Sequence, residues 1–156
     1  MVVVTRWRML LACALTASAC GNRAGSPDYV QKRVILQVPA SAFRLDAGSF
    51  LGPEWGLWRT GALVDTLELT EAVHSLAIEA RGTSCEGAWP LVECTWNGIR
   101  LGKVRVTSTE WAWYRLGRGF GPGRGVLRIA LLNDRFSRRG DLNLFVRAVT
   151  LSGENR

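Results

Sequence analysis

Hydrophobic residues recur at every second position through most of this chain, in short stretches separated by turn-forming residues. Val34, Leu36 and Val38 alternate with polar neighbours until Pro39, the pattern of a half-buried strand. Positions 40–59 are irregular, with four glycines and prolines among them, and Leu63–Leu69 alternates loosely. Leu76, Ile78 and Ala80 make a clear strand, and 82–90 a loop. Leu91–Trp96 is the next strand, followed by Asn97-Gly98, the strongest short hairpin signal in the chain. Lys103–Thr107 and Trp111–Leu116 follow, then a glycine-rich turn over 117–125. Leu127, Ile129 and Leu131 alternate up to a polar break at 133–143, and Leu144, Val146 and Ala148 resume the pattern. No stretch keeps a helical period. Short strands with turns every eight to twelve residues predict an all-β, antiparallel sandwich or barrel.

If successive strands run antiparallel, their connections alternate between the two ends of the sandwich. Counting back from 133–142 puts the connections at 59–61, 82–90 and 108–110 on the same end. Loops on one rim of a rigid sandwich are where binding sites are built. The rim then carries Trp58, Trp89 and Asp134. Sandwich cores also use tryptophan, and Trp96 with one of Trp111 or Trp113 is assigned there. His74 is read as an ordinary turn residue.

The polar break at 133–143 holds two aspartates and two asparagines between strands. Oxygen ligands at that spacing suit a hard cation such as calcium, although Asn and Asp are equally ordinary turn residues. Arg135, Arg138 and Arg139 lie inside the same loop, where they either favour an acidic glycan or oppose a cation. Zinc is excluded by a single histidine and unsuitable cysteine spacing.

The first residues read as an address. Arg6 and Arg8 precede an apolar run of small residues from Met9 to Ala19, too short to span a bilayer and suited to a secretory signal at 1–19. Ala17-Ser18-Ala19-Cys20-Gly21 resembles a bacterial lipobox, so Cys20 is the expected lipidation site, with simple cleavage near Ala19 as the alternative. Residues 20–31 then form a short tether, and 32–152 one domain with a single core. The expected location is the cell envelope, at the outer membrane or cell surface, with membrane contact through the lipid alone. The formal charge is +7. A secretory address turns that basic balance away from nucleic acid. It also permits a disulfide between Cys85 and Cys94, for which loop entropy allows up to about 3 kcal/mol.

Arg81-Gly82-Thr83-Ser84, Gly87-Ala88-Trp89-Pro90, Asn97-Gly98, Asn133-Asp134 and Asp141-Leu142-Asn143-Leu144-Phe145-Val146 follow one another in an order that resembles the calcium-dependent xylan-binding carbohydrate-binding modules of families 36 and 60. The resemblance covers roughly residues 33–151. It implies a jelly-roll β-sandwich, a calcium ion held in loops at one end, and sugar hydroxyls completing the metal's coordination. By position, Asp134, Asp141 and Asn143 are the implied metal ligands, with Trp58 supplying a backbone carbonyl. Trp89, Asn133 and Trp58 are the implied sugar contacts. Two residues depart from the family pattern: Leu142 replaces its arginine, and Arg147 stands where an aspartate is usual. The reading is therefore a non-catalytic polysaccharide-binding module. A degenerate sandwich without metal, serving a structural or interaction role in the envelope, is the alternative. A glycoside hydrolase using Asp134 and Asp141 is a third reading, disfavoured because so short a chain offers no deep cleft.

Overall fold

The computed structural model describes residues 33–46 and 48–154. The expected signal, Cys20 and the tether all lie outside the described residues. Among the described residues thirteen strands are formed: β1 (Val34–Pro39), β2 (Arg44–Leu45), β3 (Ser49–Leu51), β4 (Glu54–Leu57), β5 (Gly61–Leu69), β6 (Ser75–Gly82), β7 (Leu91–Trp96), β8 (Ile99–Arg105), β9 (Ala112–Arg115), β10 (Gly123–Leu131), β11 (Phe136–Ser137), β12 (Gly140–Asp141) and β13 (Leu144–Ser152). They build two antiparallel sheets. One runs β3-β4-β13-β6-β9, with β1 also on β13; the other runs β2-β5-β10-β7-β8; and β11-β12 make a separate two-stranded ribbon. The all-β jelly-roll sandwich expected from the alternation is the fold observed.

The inward residues of the central strands form the core. Leu127, Ile129 and Leu131 of β10 and Leu144, Val146, Val149 and Leu151 of β13 are fully buried. Each such side chain contributes about 1.5–3 kcal/mol of burial energy. The simple alternation read for β13 fails in one place. The register against β6 shifts between Val146 and Ala148, so Arg147 is the extra residue of a bulge; Ala148 is buried, and the fully buried positions pass to Val149 and Leu151.

Two other differences have local causes. The irregular 40–59 segment contains β2, β3 and β4, and its Trp55 and Leu57 are fully buried. Glycines at Gly48, Gly52 and Gly56 mask that periodicity. Gly125, read as part of a turn, lies inside β10 because the Trp96 ring packs flat on it. A Cβ there would sit 2.2 Å from that ring. The Asn97-Gly98 turn is formed as expected, with both residues at positive φ, and joins β7 to β8.

The disulfide expected between Cys85 and Cys94 is not formed; both are buried free thiols. Cys94 points into the core from mid-β7, facing a strand partner at Gly102. Cys85 sits in the loop before β7, its Sγ 3.3 Å from the Gly140 carbonyl. Burial pushes the Cys94 thiol up to about 12, with the nearby Glu93 charge adding to it.

Candidate metal and sugar site at one rim

Four connections meet at one end of the sandwich, as parity predicts: 58–60, 83–90, 106–111 and 132–143. Backbone bonds lace them together. Gly82 N donates to Ser108 O at 2.8 Å, Val106 N to Pro90 O at 2.9 Å and Leu132 N to Leu91 O at 2.9 Å.

The longest connection folds back on itself. Phe136 pairs with Asp141 and Ser137 with Gly140, and Leu142 N donates to Arg135 O at 2.9 Å. Extended two steps past the Phe136–Asp141 pair, that register would set Asp134 opposite Asn143. Paired residues in an antiparallel ladder share a face. Ser137 turns its hydroxyl toward the Cys85 thiol (3.5 Å), which fixes the inner side of the ribbon. Phe136, Asp141, Asp134 and Asn143 therefore fall by parity on the opposite side.

Thr83 straps this segment down. Its hydroxyl donates to Asp141 O at 2.7 Å and accepts from Asn143 N at 2.9 Å, while its own N–H donates to Asn143 O at 2.9 Å. Leu142, between the two polar residues, is fully buried. The family's arginine is thus replaced by a core anchor that turns Asp141 and Asn143 the other way. Arg135 adds a 2.8 Å ion pair to Glu86, tying the loop to its neighbour.

Asn143 carries the most informative atom of the rim. Its Oδ1 is buried and has no hydrogen-bond partner. The only other such side-chain atom among the described residues is Arg81 Nε. Arg81, however, lies between two rings, its guanidinium carbon 4.3 Å from the Phe145 centroid and 5.1 Å from that of Trp111, which stabilise its charge. Asn143 has no such compensation. An acceptor left bare in this way costs about 1–3 kcal/mol and calls for a missing donor or cation.

Asn133 proves to be a brace. Its Nδ2 donates to Trp89 O at 3.0 Å and its Oδ1 accepts from Leu91 N at 2.5 Å, so both ends of the amide are spent on the backbone. Asn133, expected to contact sugar, here ties the 83–90 loop to the end of β10. Trp58 is 40% exposed and follows Leu57, the partner of Leu144. The same register sets it beside Asn143. Its ring covers Gly56, where a Cβ would approach to 2.8 Å. Trp89 is half-buried, Asp134 exposed and Asp141 half-buried. Trp96 is core as expected; Trp111 is half-buried and Trp113 is 51% exposed, so neither is the second core tryptophan, a place Trp55 takes.

Sequence reasoning missed Phe136. It is 80% exposed and paired with Asp141, an apolar ring in a polar loop. That mismatch was the available signal. The other departure, Arg147, is turned away from the rim. It binds Glu79 through two hydrogen bonds, one from Nε at 2.8 Å, and sits 4.7 Å over the Trp111 ring. The Arg147 hydrogen bond holds the Glu79 carboxyl below the usual carboxylate range against the opposing effect of burial, and the Arg147 charge adds to the lowering.

Among the described residues no three His, Cys, Asp or Glu side chains gather at one point. The oxygens on offer at this rim are two carboxylates, one amide and backbone carbonyls. Such a mixed oxygen set fits a calcium ion, which takes six to eight oxygens of these kinds.

The profile of the Ca-dependent, xylan-binding carbohydrate-binding modules, family 60, matches residues 75–156, which include β13 and most of the rim. The chain belongs to this family. As a family 60 module it is a calcium-dependent carbohydrate-binding protein of the xylan-binding kind. No curated relative matches the chain. Among solved structures, a family 36 carbohydrate-binding module in complex with calcium and xylotriose superposes with a TM-score of 0.60 at 14% identity, over 76% of this chain and 100% of that one. The first family 36 domain of a multidomain xylanase from the hindgut metagenome of Trinervitermes trinervoides gives 0.62 at 12% identity, over 78% and 98%. A family two carbohydrate esterase from Cellvibrio japonicus gives 0.53 at 10% identity, over 76% of this chain and 33% of that one. At these identities the likeness is one of fold.

Proposed function

We propose that this family 60 module holds its calcium with the carboxylates of Asp134 and Asp141, Oδ1 of Asn143 and the carbonyl of Trp58, and binds xylan at that point without catalysing its cleavage. The observation that carries the reading is the bare Oδ1 of Asn143, next to the two residues whose register supplies carboxylates. Bound there, the ion offers vacant coordination positions to vicinal sugar hydroxyls. The chain's own part is to hold the oxygens in place. Thr83 fixes the 141–143 backbone, buried Leu142 sets its rotation, and Asn133 holds the 83–90 loop against it. Exposed rings at Trp58 and Phe136 give apolar sugar faces a surface to cover, and half-buried Trp89 is the third ring of the rim loops.

The metal-free alternative drew on Leu142 and Arg147. Leu142 has a packing role, and Arg147 is neutralised by Glu79 on the outer sheet face, so neither argues against a cation at the rim. With Cys20 as a lipid anchor and 20–31 as a tether, the module would present this rim to polysaccharide from the cell envelope.

Calorimetry with linear xylo-oligosaccharides tests the reading. Binding in calcium that disappears in EDTA, and disappears in Asp141→Ala even with calcium, is the expected result. Sugar binding indifferent to chelator would refute it.

A further inference from the structure

The β11-β12 ribbon does more than supply Asp141. Its two-residue turn is Arg138-Arg139, both exposed. The turn is held in shape by the Ser137 hydroxyl accepting from Arg139 N at 3.1 Å. The ribbon beneath it is pinned by the Cys85–Gly140 contact and the Arg135–Glu86 pair. A third exposed arginine, Arg59, follows Trp58 on the facing loop. Six ion pairs occur among the described residues, and none involves Arg59, Arg138 or Arg139.

The acids of the rim are otherwise engaged. Glu86 is taken by Arg135, and Asp134 and Asp141 lie on the proposed metal face, where a divalent ion would neutralise both. Only Glu110, exposed in the 106–111 connection, remains to oppose three arginines. A guanidinium on a pinned turn, two or three residues from a ligand carboxylate, is placed to pair with an anion carried by the same sugar chain. Arginine forms bidentate bonds with carboxylates, stronger than its contacts with neutral hydroxyls.

We propose that the preferred ligand is an acidic xylan, one bearing uronic acid side groups whose carboxylates are read by Arg138 and Arg139, with Arg59 raising the local potential. This rests on the rim being the calcium and xylan site. It assigns the arginine cluster a role in selecting substituted over bare polysaccharide.

The test is calorimetry on the protein in calcium, with a neutral linear xylo-oligosaccharide and the same oligosaccharide carrying one glucuronic acid side group. The expected result is about tenfold tighter binding of the acidic ligand at low salt, a preference that shrinks as sodium chloride is raised. In the double variant Arg138→Gln/Arg139→Gln the ratio of the two affinities should fall to one. Equal affinities in the wild-type protein, or a preference that survives in the double variant, would overturn the proposal. So would equally tight, arginine-dependent binding of a sulfated polymer with no xylose backbone, which would make the turn a general polyanion patch. Neutral ligand bound alike in calcium and in EDTA would sink the metal-site reading on which this one rests, whereas calcium-dependent binding with no acidic preference would overturn this proposal alone.

Discussion

Replacing Asn143 by leucine should separate the cost of the bare oxygen from its use. Without calcium, Oδ1 of Asn143 is a buried acceptor with no donor, a penalty of about 1–3 kcal/mol. Leucine has the same branching and no polar atom, so in EDTA the variant should be at least as stable as wild type, less any small cost of added volume. With calcium at a hundredfold excess over its dissociation constant, a wild-type site gains about 2.7 kcal/mol by linkage. For a domain of this size that is roughly 10 °C in melting temperature. The variant has lost one of the proposed ligands and should show only a small part of that rise. The two melting curves therefore cross: variant level or higher in chelator, wild type clearly higher in calcium. Differential scanning calorimetry in both conditions reads the crossing directly. A variant that keeps the full calcium shift would show that Oδ1 is no ligand. One that loses more than about 2 kcal/mol in EDTA would show that the oxygen was satisfied all along.

Thr83→Ala should cost about 2 kcal/mol in urea melts, since it strips the hydroxyl bonds to Asp141 O and Asn143 N, and should also weaken calcium binding; Thr83→Ser should restore both. Gly125→Ala should destabilise by about 1–3 kcal/mol with no effect on the rim, because its methyl would enter the Trp96 ring; equal stability would show that ring to be free to move. Glu79 has its folded pKa lowered by Arg147, so this pair's contribution is full above the ordinary carboxylate range and is lost as pH falls through the depressed value. Glu79→Gln should accordingly be less stable near neutrality and flatten the acid limb of a stability–pH curve, and an unchanged limb would count against the pairing. In the domain from residue 32 onward, whose only cysteines are Cys85 and Cys94, neither thiol should react with an aromatic disulfide reagent until the protein is unfolded, when two should titrate; none appearing would mean a Cys85–Cys94 bridge after all.

The strands were largely legible because alternation is a local signal that follows from the pleat itself. Where it failed, something non-local intervened. Trp55 and Leu57 looked like loop residues amid glycines until β4 paired with β13. Arg147 stood out only as a departure from the family pattern until the bulge against β6 paired it with Glu79. The rim followed from strand parity, and so did Trp58 and Asp134 lying on it. Asn133 is different: its sequence neighbourhood is that of a ligand, and only the contacts made by both ends of its amide show a brace.

Period-two patterning, the Asn97-Gly98 turn and the ordered polar motifs determined by themselves that this is an antiparallel sandwich with its chemistry at one end. Which oxygens are available there was decided in three dimensions. Thr83 meets Asp141 and Asn143 across some sixty residues of chain, and the two cysteines, nine apart, are buried as free thiols, Cys85 against the Gly140 carbonyl and Cys94 in mid-β7. Periodicity reports which face a residue prefers, whereas satisfaction of a particular donor or acceptor depends on partners brought from elsewhere by sheet register.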